Sequence, residues 1–509
     1  MATIGREIAA RVSIDFDFDG TETVESGRLV SARGSHRLAP PGQSITGSSG
    51  QIAQMSIELD NSDNRYSPLI SAGALYSDIS GGKMYRMPIV FEVSIDGGST
   101  YDIIFTGVLK LPRHRTLAPG QPKTLALDAR GNEERILNTS SSTPQGDFVT
   151  YHNDGFTEGE LIYDVLVEQV GLGSSEVVID DGLFPIDWFW IDDASPIEAC
   201  WRLASAAGGR FYCRYDGRFV YENATAWLLN SRSVTSQATF ARSDFQSLTV
   251  YYDDNDLTSK VTAKANLYEF GESGELWKAS EPTTVPPGAS RTITAELNSP
   301  AYRIDSVTYT ARTAGGTDLS GSITLTRTDY AQRVELEFAN GHSTLAAVIS
   351  GVTVTGVGVE IAEKISVDKT SASGFWDVAN PNRHPNSLKT PISNPWIQSR
   401  AQADALAQFV LDRQEEPALF YLVEGVQGDP ERRLGDRVTI NDAEQMDAAR
   451  DALIIGIDWA YSVQSGFRQS LMAVDVAGLY PYIDASPGYF VLGVNELGAA
   501  DPQRGRLFY

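Results

Sequence analysis

Residues 103–109 read "IIFTGVL", and residues 123–129, after a polar connection, read "KTLALDA". The arrangement returns near the other end of the chain, where "LIIGIDW" at 453–459 is followed by "QSLMAVD" at 469–475. In both places a strand with a central glycine leads through a reversal into a strand of alternating apolar and polar residues. Two such instances, on either side of more helical sequence, predict that the chain uses one β-unit twice.

Composition limits the class of protein. The chain has 509 residues, enough for several modules, and 41 Lys and Arg against 66 Asp and Glu give a net charge of −25. Such a chain is not expected to hold nucleic acid through its phosphates. Its two cysteines, Cys200 and Cys213, exclude a disulfide scaffold and are expected to be buried free thiols. The N-terminus has no signal-peptide core and no apolar run reaches membrane length, which indicates synthesis in the cytoplasm.

The predicted fold class is mainly β with smaller α+β parts. The turn "DGGS" at 96–99 predicts a β-hairpin, and Thr157 with Glu160 predicts a capping box at the start of a helix. The chain divides into six segments: a first β domain (1–140), a small α/β module (150–242), the start of a second β region (243–275), a β-sandwich insert (276–385), a second β domain with one helix (386–480) and a C-terminal extension (481–509).

The stretch "IDFDFDG" at 14–20 places three carboxylates close together. Its start matches the first half of an EF-hand calcium loop, since Asp15, Asp17 and Asp19 alternate and a glycine follows. The twelfth position of such a loop needs a bidentate glutamate, but here it is Ser26, and no flanking helices are predicted. The period-two alternation instead predicts a β-strand with one apolar face and one acidic face, and no metal site.

Motifs for catalysis are not found. The sequence holds no GxSxG, P-loop or dinucleotide-binding glycine pattern, and its five histidines lack metal-ligand spacing. Acidic residues are so numerous that their closeness in sequence does not indicate a catalytic pair. The cluster "YYDDNDL" at 251–257 is interpreted as a solvated turn rather than a cation site. The chain is therefore expected not to be an enzyme and to have no catalytic, cofactor-binding or metal-binding residues.

Several stretches together resemble the hub proteins of bacteriophage tail tips and baseplates. The matching stretches are "MSIELDNSDNRYSPL" at 55–69, "FTGVLKLPRHRT" at 105–116, "KTLALDARGNEERIL" at 123–137, "SPIEACWRLASAAGGRFYCRYDGRFVYE" at 195–222, "QSRAQADALAQFVLDRQ" at 398–414, "LGDRVTI" at 434–440 and "LIIGIDWAYSVQSGFRQSLMAVD" at 453–475. Each stretch alone has a pattern that is common in strands, turns or helices of many proteins. Their order and spacing follow the family, which includes the tail-tube-like hubs of siphophages and contractile phages, among them minor tail proteins.

The resemblance implies a structural virion protein with two tail-tube-like β-barrel or sandwich modules in each subunit. Three subunits in a homotrimer would then present six modules to a sixfold tail tube. Expected partners are a distal tail or tail-tube protein above, a tip, fibre or spike protein below, and a tape-measure protein in the channel. DNA would pass during genome ejection without specific binding, and the protein would be located in the virion tail tip.

Two sets of candidate contact residues follow from this resemblance. A conduit should repel what passes through it, so Asp15, Asp17 and Asp19 are expected to line or rim the channel, with bulk solvent outside as the alternative. The segment "GYFVLGVNELG" at 488–498 has few charges, and an exposed strand of this kind tends to pair with a neighbour. Its candidate docking residues are Tyr489, Phe490 and Leu492.

Two other classes of function stay open. A carbohydrate-binding adhesin of the tail tip would use exposed aromatic side chains, for which Trp188, Trp190 and Trp376 are candidates. A glycan hydrolase would need a pair of acids in a cleft, one of them with a raised pKa, and sequence does not reveal such a pair.

Overall fold

The computed structural model describes residues 7–38, 51–111, 113–115, 123–137, 139, 150–254 and 257–476. The candidate docking residues Tyr489, Phe490 and Leu492 lie outside the described residues.

The first β-unit is built from eight strands and two short helices. In chain order they are β1 (Ala9–Ile14), β2 (Thr23–Val24), β3 (Leu29–Arg37), β4 (Gln54–Asp60), α1 (Tyr76–Ile79), β5 (Pro88–Ser94), β6 (Asp102–Leu109), β7 (Arg113–Arg115), β8 (Thr124–Gly131) and α2 (Glu133–Leu137). The predicted turn at 96–99 joins β5 to β6, which pair antiparallel. Strand β4 shows the expected alternation, because Met55, Ile57 and Leu59 are buried and the residues between them are partly exposed.

The strand predicted for residues 14–20 is wrong, because β1 ends at Ile14. Phe18 and Gly20 adopt positive φ angles of 60° and 83°, which strands do not use. The backbone N–H of Gly20 donates to Asp15 Oδ2 at 3.1 Å, so an aspartate side chain competes with strand pairing. The chain reverses there and returns as β2 beside β1.

The small module follows. Its elements are β9 (Thr150–Thr157), α3 (Glu158–Asp164), β10 (Val177–Ile179), β11 (Pro185–Phe189), α4 (Pro196–Ala206), β12 (Arg210–Cys213), β13 (Phe219–Glu222), α5 (Ala226–Leu229) and α6 (Ser231–Val234). The predicted capping box is confirmed, since Thr157 N–H donates to Glu160 Oε2 at 2.8 Å and the Thr157 side chain accepts from Glu160 N–H. Cys200 and Cys213 are buried free thiols, as expected.

The second β-unit is interrupted by the insert. The strands before the insert are β14 (Ser236–Ala241) and β15 (Ser247–Asp253). The insert contains β16 (Lys260–Lys278), β17 (Thr283–Val285), β18 (Ser290–Glu296), β19 (Ala301–Arg312), β20 (Ile323–Asp329), β21 (Arg333–Asn340), β22 (Ala347–Thr370) and β23 (Lys389–Ser393). After it come α7 (Arg400–Gln414), β24 (Ala418–Gln427), β25 (Arg437–Asn441), β26 (Arg450–Ser462) and β27 (Gly466–Asp475).

The insert is a β-sandwich anchored by two long strands. One sheet has the order β17-β22-β16-β23 with β19 also on β22, and the other has the order β18-β21-β20. The inner ends of β16 and β22, with Val261 and Val367, belong to a core shared with α4 and α7. Their outer parts, with Leu276 and Val354, belong to the core between the two sheets. The boundary placed from sequence between 275 and 276 falls within β16.

The two β-units have the same strand order. It is β1-β5-β6-β8-β4-β3 in the first unit and β14-β25-β26-β27-β24-β15 in the second. Numbered along the chain, the six strands of each unit lie in the order 1-4-5-6-3-2. Four of the five pairings are antiparallel in both units, whereas β1 pairs antiparallel with β5 and β14 pairs parallel with β25. The repeated sequence motifs therefore occupy equivalent strands, and the predicted mainly β fold class is confirmed.

Candidate functional site

The two β-units meet edge to edge in one 14-stranded sheet. Strand β26 forms the joint, because its residues 456–462 pair antiparallel with residues 31–37 of β3. The start of the same strand, at 450–453, pairs with β25 of its own unit. One strand thus belongs to both units, and apolar residues of both contribute to a single core.

The side chains at the joint require a close approach of the two units. The indole ring of Trp459, on β26, lies directly over the Cα of Gly34, on β3. The same ring stacks on Phe91 of β5, with ring centroids 4.9 Å apart and planes within 4°. On the other side of the sheet Arg37 and Asp458 form an ion pair, with Arg37 Nε donating to Asp458 Oδ1 at 3.2 Å. The joint is therefore packed like the interior of one domain.

The joint uses one edge of β26 and one edge of β3, and the equivalent edge of the other unit is free in each case within the described residues. The equivalent of β26 in the first unit is β6 together with β7, because these two strands pair along β8 as β26 pairs along β27. Beyond its own unit β26 is covered by β3, but β7 pairs only with β8 in the part of the chain described. Strand β15, the counterpart of β3, likewise pairs only with β24 among those residues. Among the described residues the chain thus presents one free edge of each kind.

The two free edges differ in charge. Strand β15 carries Tyr252, which is 70% exposed, and it ends at Asp253, which is followed by Asp254. The residues of β7 are Arg113, His114 and Arg115. Proteins usually cover or protect the open side of an edge strand, especially where it carries an exposed aromatic side chain. The sequence contained this signal in "YYDDNDL", which was interpreted only as a solvated turn.

The solvent face of the joint carries charges of both signs. A cleft of about 680 Å³ lies there, and its charged lining residues are Arg33, Lys110, Asp128, Arg130, Asp458 and Arg468. Basic residues outnumber acidic ones in this cleft, so this part of the long sheet is not acidic.

The three predicted acidic residues lie together, but on a turn rather than on a strand face. One oxygen from each of Asp15, Asp17 and Asp19 lies within 4.8 Å of the others. Asp17 and Asp19 are exposed, whereas Asp15 is only 4% exposed and does not present its carboxylate to solvent. Desolvation and the charge of Asp19 raise the pKa of Asp17.

The aromatic candidates for glycan binding are part of the packed interior. Trp188 and Trp376 are buried, and Trp188 contacts the ring of Phe270 edge-on at 4.8 Å. Trp190 is partly buried, and its ring lies 4.9 Å from that of Trp396. These side chains do not form an exposed platform for a sugar ring, so the expectation that they are exposed is wrong. The adhesin alternative loses the residues on which it depended.

Within the described ranges, no helix is long and apolar enough to cross a membrane. A scan against protein-family models finds no match for the sequence, and a search of curated proteins also finds none.

Solved structures with a similar backbone arrangement are tail proteins and a secretion component. A tail protein from Neisseria meningitidis is 11% identical, with a TM-score of 0.49 over 93% of this chain and 98% of that one. A 43 kDa tail protein of a Shewanella oneidensis prophage is 13% identical, with a TM-score of 0.48 over 92% and 98%. A type VI secretion component from E. coli is 7% identical, with a TM-score of 0.37 over 92% and 76%.

Proposed function

We propose that this chain is the structural hub of a phage tail tip, and that three copies form a ring of six β-units around a channel. The supporting observation is the identical strand order of two β-units that are joined through β26 and β3. When two β-units are joined by pairing their edge strands, further copies of the chain can join in the same way only if the equivalent edge strands are unpaired. The free edges of β7 and β15 meet this condition within the described residues.

The ring closes when β15 of one copy pairs with β7 of the next. This contact repeats the joint inside each chain, where β3, the counterpart of β15, pairs with β26. The strand β15, whose last residue and the residue after it are aspartates, would then lie alongside the basic sequence of β7, and opposite charges on the two edges favour this pairing. Three copies supply the six units that match the sixfold tube in tail hubs.

The position of the hub sets its other partners. A distal tail or tail-tube protein lies above the ring, a tip, fibre or spike protein lies below it, and a tape-measure protein occupies the channel before DNA passes. The channel is lined by the solvent face of the long sheet, and Asp17 and Asp19 add negative charge at the end of β1. The C-terminal extension, with Tyr489, Phe490 and Leu492, docks onto a neighbouring tip component.

The oligomeric mass tests the ring. Light scattering of the purified chain should give three times the chain mass of 55.3 kDa. The double variant Thr249→Lys/Tyr252→Lys places two positive charges on the β15 edge, where they repel the basic sequence of β7 and block strand pairing. We expect this variant to fold and to have the mass of one copy.

A matched control uses an edge strand outside the ring. Thr324 and Thr328 are exposed on β20, which is the edge strand of the smaller insert sheet. The variant Thr324→Lys/Thr328→Lys should keep the threefold mass. A wild-type chain with the mass of one copy, or a trimer that survives the β15 changes, would contradict the proposal.

A further inference from the structure

The acidic turn of residues 15–20 has the spacing of a cation site. One carboxylate oxygen each from Asp15, Asp17 and Asp19 lies within 4.8 Å of the other two. Calcium binds oxygen at about 2.4 Å, so two oxygens on opposite sides of one ion are about 4.8 Å apart. Three oxygens with this spacing surround a common point at no more than about 2.8 Å, so small rotations of the exposed Asp17 and Asp19 side chains bring all three to the contact distance of one calcium ion.

Asp15 provides a second and independent observation. Its side chain is 4% exposed, and its Oδ1 atom is buried without a hydrogen-bond partner in the described part of the chain. Its other oxygen accepts the Gly20 N–H that closes the turn, at 3.1 Å. A buried carboxylate oxygen without a donor is unfavourable, and the nearest side chains of the cluster are two further carboxylates. A cation bound in the cluster would offset the negative charge of this buried carboxylate.

The arginine on the adjoining strand is engaged with another carboxylate. Arg11, on β1, forms a bidentate pair with Glu92, with Nη2 donating to Oε1 at 2.6 Å. Glu22 adds a further carboxylate beside the turn, and desolvation together with the charges of Glu92 and Asp15 raises its pKa. The local excess of negative charge is therefore not neutralised by this arginine.

The turn is held in place before any ion binds. The backbone N–H of Asp15 donates to the carbonyl of Pro88 at 3.1 Å, which attaches the turn to β5. The N–H of Thr21 donates to Asp19 Oδ1 at 2.6 Å. Little conformational entropy would be lost on binding, because the ligand residues already lie in one fixed turn.

From this geometry we propose that Asp15, Asp17 and Asp19 bind one calcium ion. The donor set consists of oxygen atoms only, which suits a hard cation, and the absence of a glutamate at the twelfth position separates this site from an EF-hand. Backbone carbonyls and water would complete the coordination. An affinity in the range of about 10⁻⁴–10⁻³ M is expected, as for calcium sites of extracellular modules. Binding at this site does not require the ring to form, although a bound ion would offset the charge that Asp17 and Asp19 are proposed to add to the channel.

Calorimetry on the full chain, after dialysis against a chelator, tests the site. Titration with CaCl₂ should show one binding event per chain, and the temperature of unfolding should rise with calcium concentration. The double variant Asp17→Asn/Asp19→Asn leaves the buried Asp15 in place, and it should bind calcium at least tenfold more weakly. Its circular dichroism spectrum should match that of the wild type.

The control removes two acids elsewhere. Glu444 and Asp447 are exposed in the turn after β25, so Glu444→Gln/Asp447→Asn makes the same change in net charge and should bind calcium as the wild type does. No binding by the wild type up to 10 mM calcium (about tenfold above the weakest expected affinity), or equal binding by all three proteins, would overturn the proposal. An equal effect of MgCl₂ at the same ionic strength would also overturn it, since it would indicate charge screening alone.

Discussion

Replacing Gly34 with alanine is expected to lower the free energy of unfolding by about 2–3 kcal/mol, although it adds a single methyl group. A Cβ atom at this position would lie 2.7 Å from the backbone oxygen of Gln54 and 2.7 Å from Cε2 of Trp459. Neither neighbour can move easily, because Gln54 belongs to the paired strand β4 and Trp459 is stacked on Phe91. The temperature of unfolding, measured by calorimetry, should fall by roughly 2–3 °C, since the unfolding entropy of a chain of 509 residues is about 1 kcal/mol/K.

A glycine seven positions earlier supplies the control for Gly34→Ala. A Cβ atom on Gly27 would meet no atom within 4 Å among the residues described. The variant Gly27→Ala should therefore change the free energy of unfolding by no more than about 0.5 kcal/mol. Equal stability of the two variants would show that the joint between β3 and β26 is looser than its geometry indicates.

Glu133→Gln is expected to remove a loss of stability that the wild-type protein suffers above neutral pH. Glu133 is the first residue of α2, and burial raises the pKa of its carboxyl group to about 8. In the unfolded chain the same group ionises near its ordinary pKa of 4.5. Between these values the folded state holds a proton that the unfolded state has lost, so stability falls as pH rises.

Between pH 6.5 and 8 the effect of Glu133 on stability can be measured separately from that of the buried His36. Burial lowers the pKa of His36 to about 4, so its effect is confined to pH values below its ordinary pKa of 6.5. Across the window the wild type should lose about 1.6 kcal/mol relative to Glu133→Gln, which is less than one full proton over 1.5 pH units because the folded carboxyl group is half ionised at pH 8. Unfolding in urea at several pH values measures this difference.

The distant variant Glu444→Gln controls for the removal of one carboxylate, since Glu444 is exposed in the turn after β25. Its stability should follow the pH dependence of the wild type, because Glu133 and the charges around it are unchanged. If wild type and Glu133→Gln keep the same slope between pH 6.5 and 8, the buried carboxyl group does not hold its proton in the folded protein.

The sequence predicts correctly those features of the fold that depend on contacts between residues close together in the chain. The hairpin at 96–99 and the capping box of Thr157 and Glu160 were found because each depends on a few adjacent residues. The repeat was also visible, since a glycine-centred strand followed by an alternating strand occurs in both units. The mainly β fold class followed from these patterns.

The turn at residues 15–20 shows why alternation alone can mislead. Phe16 and Phe18 continue the apolar period of β1, but Phe16 is buried and Phe18 is exposed with a positive φ angle. The side chain of Asp15 accepts a backbone N–H five residues later, and that hydrogen bond ends the strand. An alternating pattern records hydropathy and does not record which backbone groups the aspartates bind.

The joint and the free edges could not be read from the sequence. Strands β3 and β26 are separated by about 420 residues (Arg37 and Asp458 lie 421 apart), and edge pairing of backbone groups leaves no local pattern. The burial of Trp188, Trp190 and Trp376 depends on neighbours that are likewise distant in the chain. A tryptophan in the sequence can either fill a core or bind a sugar ring, and only the packing of the folded chain shows which role it has.

The two long strands of the insert have a mechanical consequence. Strands β16 and β22 are 19 and 24 residues long, and both contact α7 at their inner ends. At about 3.3 Å per residue, the shorter one spans roughly 60 Å. Both strands continue from the core around α7 into the core of the outer sandwich, so we expect the insert to move together with its base, as a lever. A force on its outer end is delivered as torque to α7 and to the helices beneath it.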